Sequence, residues 1–176
     1  MEIRKAKETD IDAITQIYSD IHTAEEQGEV TIGWIRGVYP TEQTARDALQ
    51  RDDLFVMGDE GKVVGAAVIN QCQVDVYAQA SWEHEAKDEE VMVLHTLVIS
   101  PKEKGKGYGK AFVSYYENYA RERNCPYLRI DTNARNVNAR KLYEKLGYRE
   151  IDILPCDFNG IGGVNMVLLE KSLIEK

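Results

Sequence analysis

The amino-acid sequence predicts a mixed α/β fold, a central sheet with strands running in both directions and helices covering it. Three observations predict it. Helical stretches, apolar at a period near 3.6, are inserted among short β-branched runs rather than segregated from them. One such run, Val91–Ile99, reads VMVLHTLVI and is apolar on both faces, the mark of a strand buried at the centre of a sheet. Shortly after it comes KEKGKGYGK, residues 102–110, a glycine-rich link into a helical pattern. The 176 residues suffice for one domain with its own core. No repeat, low-complexity tract or linker divides them, so residues 1–176 read as a single domain.

Taken in order, residues 2–6 read as a short strand. Thr9 is placed to cap a helix, Asp12 stands where a capping-box acid belongs, and Ile11, Ile14, Ile17, Tyr18 and Ile21 form one apolar stripe. Residues 22–39 have no clear period and hold Gly28, Gly33, Trp34 and Gly37, which predicts a mobile loop or short helices. Thr41 opens a second helix that ends near Leu49. Residues 54–57 and 63–70 form a hairpin about Asp59-Glu60-Gly61, residues 74–77 extend the sheet, and residues 82–90 make a charged connection. Beyond the central strand, Phe112, Tyr115, Tyr116 and Tyr119 recur at helical spacing as far as Arg123, and Pro126 ends that helix. Tyr127–Asn133 is the next strand. Asn136 can cap a helix with Ala139, Leu142, Tyr143 and Leu146 on one face and Gly147 as its C-terminal glycine. A last strand at 164–169 follows a turn-prone segment containing Gly160, Gly162 and Gly163.

Composition narrows the function classes. No apolar run approaches a membrane span, and the opening MEIRKAKETD lacks the apolar centre of a signal peptide, so a cytoplasmic protein with no membrane partner is expected. A net charge of −8 argues against nucleic acid as a partner. Cys72, Cys125 and Cys156 are odd in number and lack ligand spacing, and the three histidines are scattered. Neither a disulfide framework nor a metal site is therefore expected. On this acidic chain the lysines around Gly105 form a local positive patch.

That patch lies between a buried strand and a helix start. Backbone amides there have no internal partners and carry the positive end of the helix dipole, so they suit an anion; glycines let it come close. A bound phosphate is the natural candidate, against the alternative of a solvated lysine-rich turn. A P-loop is ruled out because Gly109-Lys110 is followed by Ala111 rather than Ser or Thr. A dinucleotide fingerprint is ruled out because the spacing is Gly-x-Gly-x-Gly, with residues 101–104 intervening after the strand.

Two segments, in order, resemble the GCN5-related N-acetyltransferase (GNAT) superfamily. Lys104-Gly105-Lys106-Gly107-Tyr108-Gly109 is similar to that family's pyrophosphate loop, Arg/Gln-x-x-Gly-x-Gly/Ala, with Lys in the first place. Asn136-Val137-Asn138-Ala139-Arg140-Lys141-Leu142-Tyr143-Glu144-Lys145-Leu146-Gly147-Tyr148 is similar to its Asn-x-x-Ala-x-x-Leu-Tyr-x-x-x-Gly-Phe segment, with Tyr148 for the Phe. The order of elements agrees with the family over most of the chain, in the first half only in outline.

The resemblance implies a strongly twisted mixed sheet whose two parallel central strands, Val91–Ile99 and Tyr127–Asn133, splay apart. It implies acetyl-coenzyme A as cosubstrate, with no metal, and direct transfer of the acetyl group to a primary amine in a ternary complex. The pantetheine arm would lie in the gap against the backbone of Leu97 and Ile99, and the diphosphate on the turn formed by Lys104, Gly105, Lys106, Gly107, Gly109 and Lys110. Tyr143 would protonate the leaving sulfur, its other reading being a core tyrosine. Asn136 would bond the cofactor arm or simply cap its helix. For the base, His95 titrates near working pH, and Glu90 lies just before the strand where several relatives carry an acid. By alternation His95 shares a face with Val93, Leu97 and Ile99, and a buried histidine satisfied by the backbone is its other reading. Asp131 reads as the partner of Arg129 on one strand face. Trp34, Tyr39, Tyr77 and Trp82 are candidate walls of the acceptor pocket, and the acids at 83–90 candidate attractors of a cationic amine. Family members are often dimers, so a homodimer is open to this chain. A catalytically silent acyl-coenzyme A sensor on the same fold is the alternative reading; retention of Tyr143 favours the enzyme.

Overall fold

The computed structural model describes residues 1–175, and Lys176 lies outside the described residues. The periodicities of the sequence resolve into β1 (Glu2–Lys5), α1 (Ile11–Glu26), α2 (Glu42–Gln50), β2 (Leu54–Asp59), β3 (Lys62–Asn70) and β4 (Val91–Ile99). They continue as α3 (Tyr108–Glu122), β5 (Tyr127–Asn133), α4 (Val137–Lys145), β6 (Arg149–Phe158) and β7 (Ile161–Ser172). The strands make one seven-stranded sheet in the order β1-β2-β3-β4-β5-β7-β6. Its neighbours are antiparallel except β4 and β5, which run parallel.

The sheet is a middle layer. On one face the stripe of α1 packs with α2 against Leu54, Val56, Ala66, Val68 and Val98. On the other, Phe112, Val113 and Tyr116 of α3 and Tyr143 of α4 pack with Phe55, Met57, Met92, Leu94, Leu128 and Ile130. Burying both faces is what makes the central strands continuous apolar runs.

Several local readings change. The residue at the α1 N-cap is Asp10 rather than Thr9: its buried carboxylate accepts from the Lys7 amide at 2.7 Å and from Arg4 at 2.8 Å. Residues 74–77 do not extend the sheet; Asp75–Gln79 is a 3-10 turn whose Val76 and Tyr77 cover Val91, Val93 and Leu168. Residues 149–158, outside every strand the sequence predicts, form β6, an edge strand where Pro155 needs no ladder partner for its missing N–H. Of residues 22–39, expected as a mobile loop or short helices, 22–26 continue α1, and the segment 27–40 is irregular but tied to that longer helix. Glu25 accepts from the amides of Ile32 (2.6 Å) and Gly33 (3.1 Å), Arg36 bonds Ser19, Thr23 and Glu26, and His22 Nε2 bonds the Pro40 carbonyl at 2.9 Å.

Two irregularities of the sheet create the site. First, β4 pairs with β5 only from Val91↔Tyr127 to Leu94↔Ile130. Beyond that β4 follows β3 to Ile99↔Gly65 while β5 follows β7 to Asn133↔Met166, and the two strands fork. Second, the β3–β4 register shifts between Ala66↔Val98 and Val68↔His95, and Thr96 takes a left-handed φ of 51°. This bulge breaks the alternation on which the sequence reading relied. His95 stays on the face of Val93, away from α3, while Leu97 and Ile99 turn to the α3 side.

Candidate active site

The fork opens a cleft of about 700 Å³ that passes through the sheet. Leu97, Asn136, Ala139 and Tyr143 line it on the α3–α4 side; Trp34, Tyr39, Asp47, Arg51, Asn70, His95 and Asp131 line it on the α1–α2 side, closed by Phe158 and Ile161 of the β6–β7 hairpin.

On the α3–α4 side, the glycine turn leads from β4 into α3. Gly105 and Gly107 have φ of 84° and 77°, and no atom lies within 4 Å of where a Cβ on either would stand. The first backbone bond of α3 runs from the Ala111 amide to the Gly107 carbonyl, so the amides before it lack helical partners. Lys104 and Lys110 are exposed beside them, whereas Lys106 is ion-paired with Glu103. The buried Tyr108 hydroxyl donates to Asp59 and fixes the helix start to β2. An open, cationic turn of free amides fits a diphosphate. Asn136 caps α4, its Oδ1 accepting from the Ala139 amide at 3.2 Å, and it also lines the cleft.

At the fork, Asn70 settles the state of His95. Asn70 Oδ1 accepts from the Cys72 amide at 2.9 Å, and its Nδ2 donates to Asp53 at 2.8 Å, where Arg51 also binds at 3.0 Å. Because Oδ1 is an acceptor, His95 Nε2, 2.8 Å away, must be the donor, which leaves Nδ1 with the lone pair. Burial pushes the imidazole down to about 4, against the opposing pull of Asp53, so it is neutral at physiological pH.

Asp131 is not the partner of Arg129. Arg129 binds Glu170 at 3.0 Å, the His84 carbonyl at 2.8 Å and Gln73, with Trp82 stacked on its guanidinium at 4.1 Å. Asp131 instead accepts from the Tyr77 hydroxyl at 2.7 Å, and burial pushes its carboxyl up to about 6. Tyr143, buried on α4, has its phenol raised first by desolvation and then by the charge of Asp131. Tyr39 is pushed up to about 12 by burial, and its hydroxyl bonds Thr96 at the bulge.

The structure thus brings Trp34, Tyr39, His95, Asn136 and Tyr143 to one cleft. Glu90 does not reach it. It precedes the paired half of β4 and accepts from the Lys87 amide at 2.9 Å, about 17 Å of extended strand from His95. Trp82 packs on Tyr77 and Arg129, outside the cleft lining, and Tyr77 meets the site only through Asp131. The acids at 83–90 are likewise absent from the lining, where Asp47 and Asp131 supply the negative charge. Asn70 and Thr96 are site residues the sequence did not single out, and Asp131 was assigned there to Arg129; an acid one residue beyond a strand pairing has no motif. Among the described residues, Glu83, His84 and Glu170 are close enough to suggest a cation, but Glu170 already binds Arg129 and His84.

Comparison with known proteins agrees with this geometry. Curated relatives include two uncharacterized N-acetyltransferases of Methanocaldococcus jannaschii, one 25% identical over 103 residues (58% of this chain, 42% of that protein). The other is 34% identical over 61 residues (34% of this chain, 39% of that protein). The matched stretches thus span about two fifths of the length of those relatives. Among solved structures, a GNAT-family acetyltransferase of Streptococcus agalactiae superposes with a TM-score of 0.80 at 23% identity, covering 99% of this chain and 96% of that one. The yncA protein of Salmonella typhimurium, solved with its cofactor acetyl-CoA, superposes at 0.70 with 18% identity, covering 100% and 95%. At such identities the likeness establishes a shared fold. The family model for the acetyltransferase (GNAT) family matches residues 11–148, the stretch that carries the forked strands, the glycine turn and α4, and the chain belongs to that family.

Proposed function

We propose that the protein is an N-acetyltransferase that moves the acetyl group of acetyl-coenzyme A to a primary amine while both are bound. The observation that carries this reading is the cleft through the sheet. On one side Ala139 and Tyr143 of α4 line it, and the turn of free amides packs against the same helix where Gly109 meets Leu142; the other side is a mouth lined by Trp34, Tyr39, Asp47 and Arg51, and Tyr143, His95 and Asp131 stand between. Acetyl-coenzyme A would supply the activated acyl group. The chain's part is to hold it and to manage protons.

The diphosphate is assigned to the amides from Gly105 to Lys110, with Lys104 and Lys110 adding charge. The pantetheine arm is assigned to the β4 edge that β5 leaves free, at Leu97 and Ile99, with Asn136 opposite. Tyr143 is the proton donor to the departing sulfur: it lines the cleft, and no protein group among the described residues hydrogen-bonds its hydroxyl. His95, neutral and with Nδ1 as its acceptor end, receives an N–H of the amine. The acceptor enters past Trp34 and Tyr39.

Calorimetric titration with acetyl-coenzyme A, with NADH as a second diphosphate, tests the assignment. Micromolar binding of acetyl-coenzyme A, absence of NADH binding, and loss of binding in a folded Gly107→Glu variant are expected. Folded protein that ignores acetyl-coenzyme A, or a Gly107→Glu variant with undiminished affinity, would overturn it.

A further inference from the structure

We propose that Asp131 is the group that receives the acceptor: its carboxylate binds the incoming ammonium at the fork of β4 and β5 and takes one of its protons. This deepens the acetyltransferase reading and rests on it. The acceptor class that follows is an alkylammonium, an amine that arrives charged, rather than a neutral aromatic amine or a hydroxyl.

Position is the first ground. Leu94↔Ile130 is the last pair of the parallel ladder, so His95 and Asp131 are the first residues beyond it, one on each lip of the fork. Both lie on the face opposite Leu94 and Ile130, the face that opens toward α1 and α2. Any group moving from the acceptor mouth toward the fork passes between a neutral imidazole and a carboxylate.

Surroundings are the second. The titratable groups that face Asp131 are Tyr77 from the 3-10 turn, Tyr39 from the segment 27–40, Tyr143 from α4, His95 from β4 and Cys156 from β6. None is a cation at neutral pH. Arg129, on the same strand, is committed to Glu170. Among the described residues Asp131 therefore forms no ion pair, an arrangement that is costly for a half-buried carboxylate unless a cation is to arrive. The aromatic faces of Trp34 and Tyr39 line the same approach and favour a cation as well.

The proton balance closes. Asp131 takes a proton from R–NH3⁺, giving the free amine and a neutral carboxyl. The amine nitrogen forms the C–N bond to the acetyl carbon as the C–S bond breaks. The sulfur takes the Tyr143 proton, Tyr143 recovers one from the new amide nitrogen, and Asp131 releases its own to solvent, so one proton is produced per turnover. Burial chiefly, and the charge of Asp131 in addition, raise the Tyr143 phenol, so neutralising Asp131 removes the second of these and eases proton donation by Tyr143. Substrate arrival and activation of the donor are thereby linked.

The test reads Asp131 directly. The carboxyl carbon of Asp131 is observed by NMR in the full chain labelled with [13C]aspartate and assigned with a folded Asp131→Asn variant; n-butylammonium and spermidine are then titrated in, with n-butanol as the neutral control. Movement of the Asp131 signal by the amines but not by butanol, with a lower titration midpoint when they are bound, is expected. A signal that ignores both amines would overturn the proposal, whatever the acetyl-coenzyme A calorimetry shows; failure of that calorimetry alone would instead overturn the acyltransferase reading. With an amine that is acetylated, Asp131→Asn should lower kcat/KM by about 10²-fold or more and abolish the lower limb of its pH profile. His95→Gln should retain that limb. The reverse pattern would make His95 the base and Asp131 a structural acid.

Discussion

Asp131 shows at the level of one residue how function and stability pull apart. A carboxyl whose folded pKa is raised to about 6 binds its proton more tightly folded than unfolded, so stability falls as pH rises from about 4 to about 6 and stays reduced above that. The gap corresponds to about 3 kcal/mol at most. Asp131→Asn keeps an oxygen for the Tyr77 hydroxyl and removes the charge. It should therefore melt at a higher temperature than the parent at pH 7.5, with the difference closing near pH 4, while being the less active enzyme; a lower melting temperature at pH 7.5 would count against the unpaired carboxylate. Tyr143→Phe is expected to lower kcat by about 10²-fold with unchanged acetyl-coenzyme A affinity, measured by single-turnover kinetics and calorimetry. Tyr143 was legible because it sits in a motif. Asp131 was not, because the residue two places before it in the strand offered a ready ion-pair partner, and only the fold shows that Arg129 is committed to Glu170 and leaves the acid alone.

At the level of elements, the segment 27–40 shapes one side of the cleft, the proposed acceptor mouth, through close backbone approach. Gly33, with φ of 86°, passes so near β5 that a Cβ would stand 2.3 Å from Asn133 Nδ2. Gly33→Val combines that clash with a left-handed backbone a β-branched residue resists, and a loss of roughly 2 kcal/mol is expected by denaturant titration. Because Trp34 and Tyr39 lie on the same segment, KM for the amine should rise while acetyl-coenzyme A affinity holds. The glycine turn and α4 could be read directly, since cap chemistry and a fixed spacing are local. The bulge at Thr96 could not. It is an agreement between β3 and β4, and without it the alternation of VMVLHTLVI puts Leu97 and Ile99 on the wrong face. β6 escaped for a related reason: an edge strand with one solvated face and an interior proline has a weak pattern of its own and is defined by its ladder to β7.

For the whole molecule, charge is divided between the glycine turn and the cleft. The chain carries a net −8, yet Lys104 and Lys110 face solvent beside the glycine turn, and Asp47 and Asp131 line the proposed acceptor mouth, where Arg51 is paired with Asp53. Exposed attractions are screened over about 10 Å at 0.1 M salt, so KM for a polycation such as spermidine should climb more steeply with added salt than KM for n-butylamine. Parallel slopes would mean that the mouth exerts no net field. Acid acts on the fold from the opposite direction to Asp131. Arg4 holds the Asp10 carboxyl below its ordinary range, so this pair stabilises above the unfolded pKa near 4 and is lost as pH falls through the folded value. Among the described residues no helix is long and apolar enough to cross a membrane.

The sequence by itself determined the mixed α/β class, the central strand, the helices on either side of it and the phosphate-suited turn, because each rests on local periodicity or capping. Tyr143 was singled out by its match to a family segment, and its place in the cleft came from the fold. The tertiary structure decided which side chains share the fork: it removed Glu90 and Trp82, fixed the proton on His95 through Asn70, and set Asp131 opposite it without a cation. Those facts depend on where two strands stop pairing and on which neighbours each charge finds across the sheet. That information lies between segments far apart in the chain and in no one segment alone.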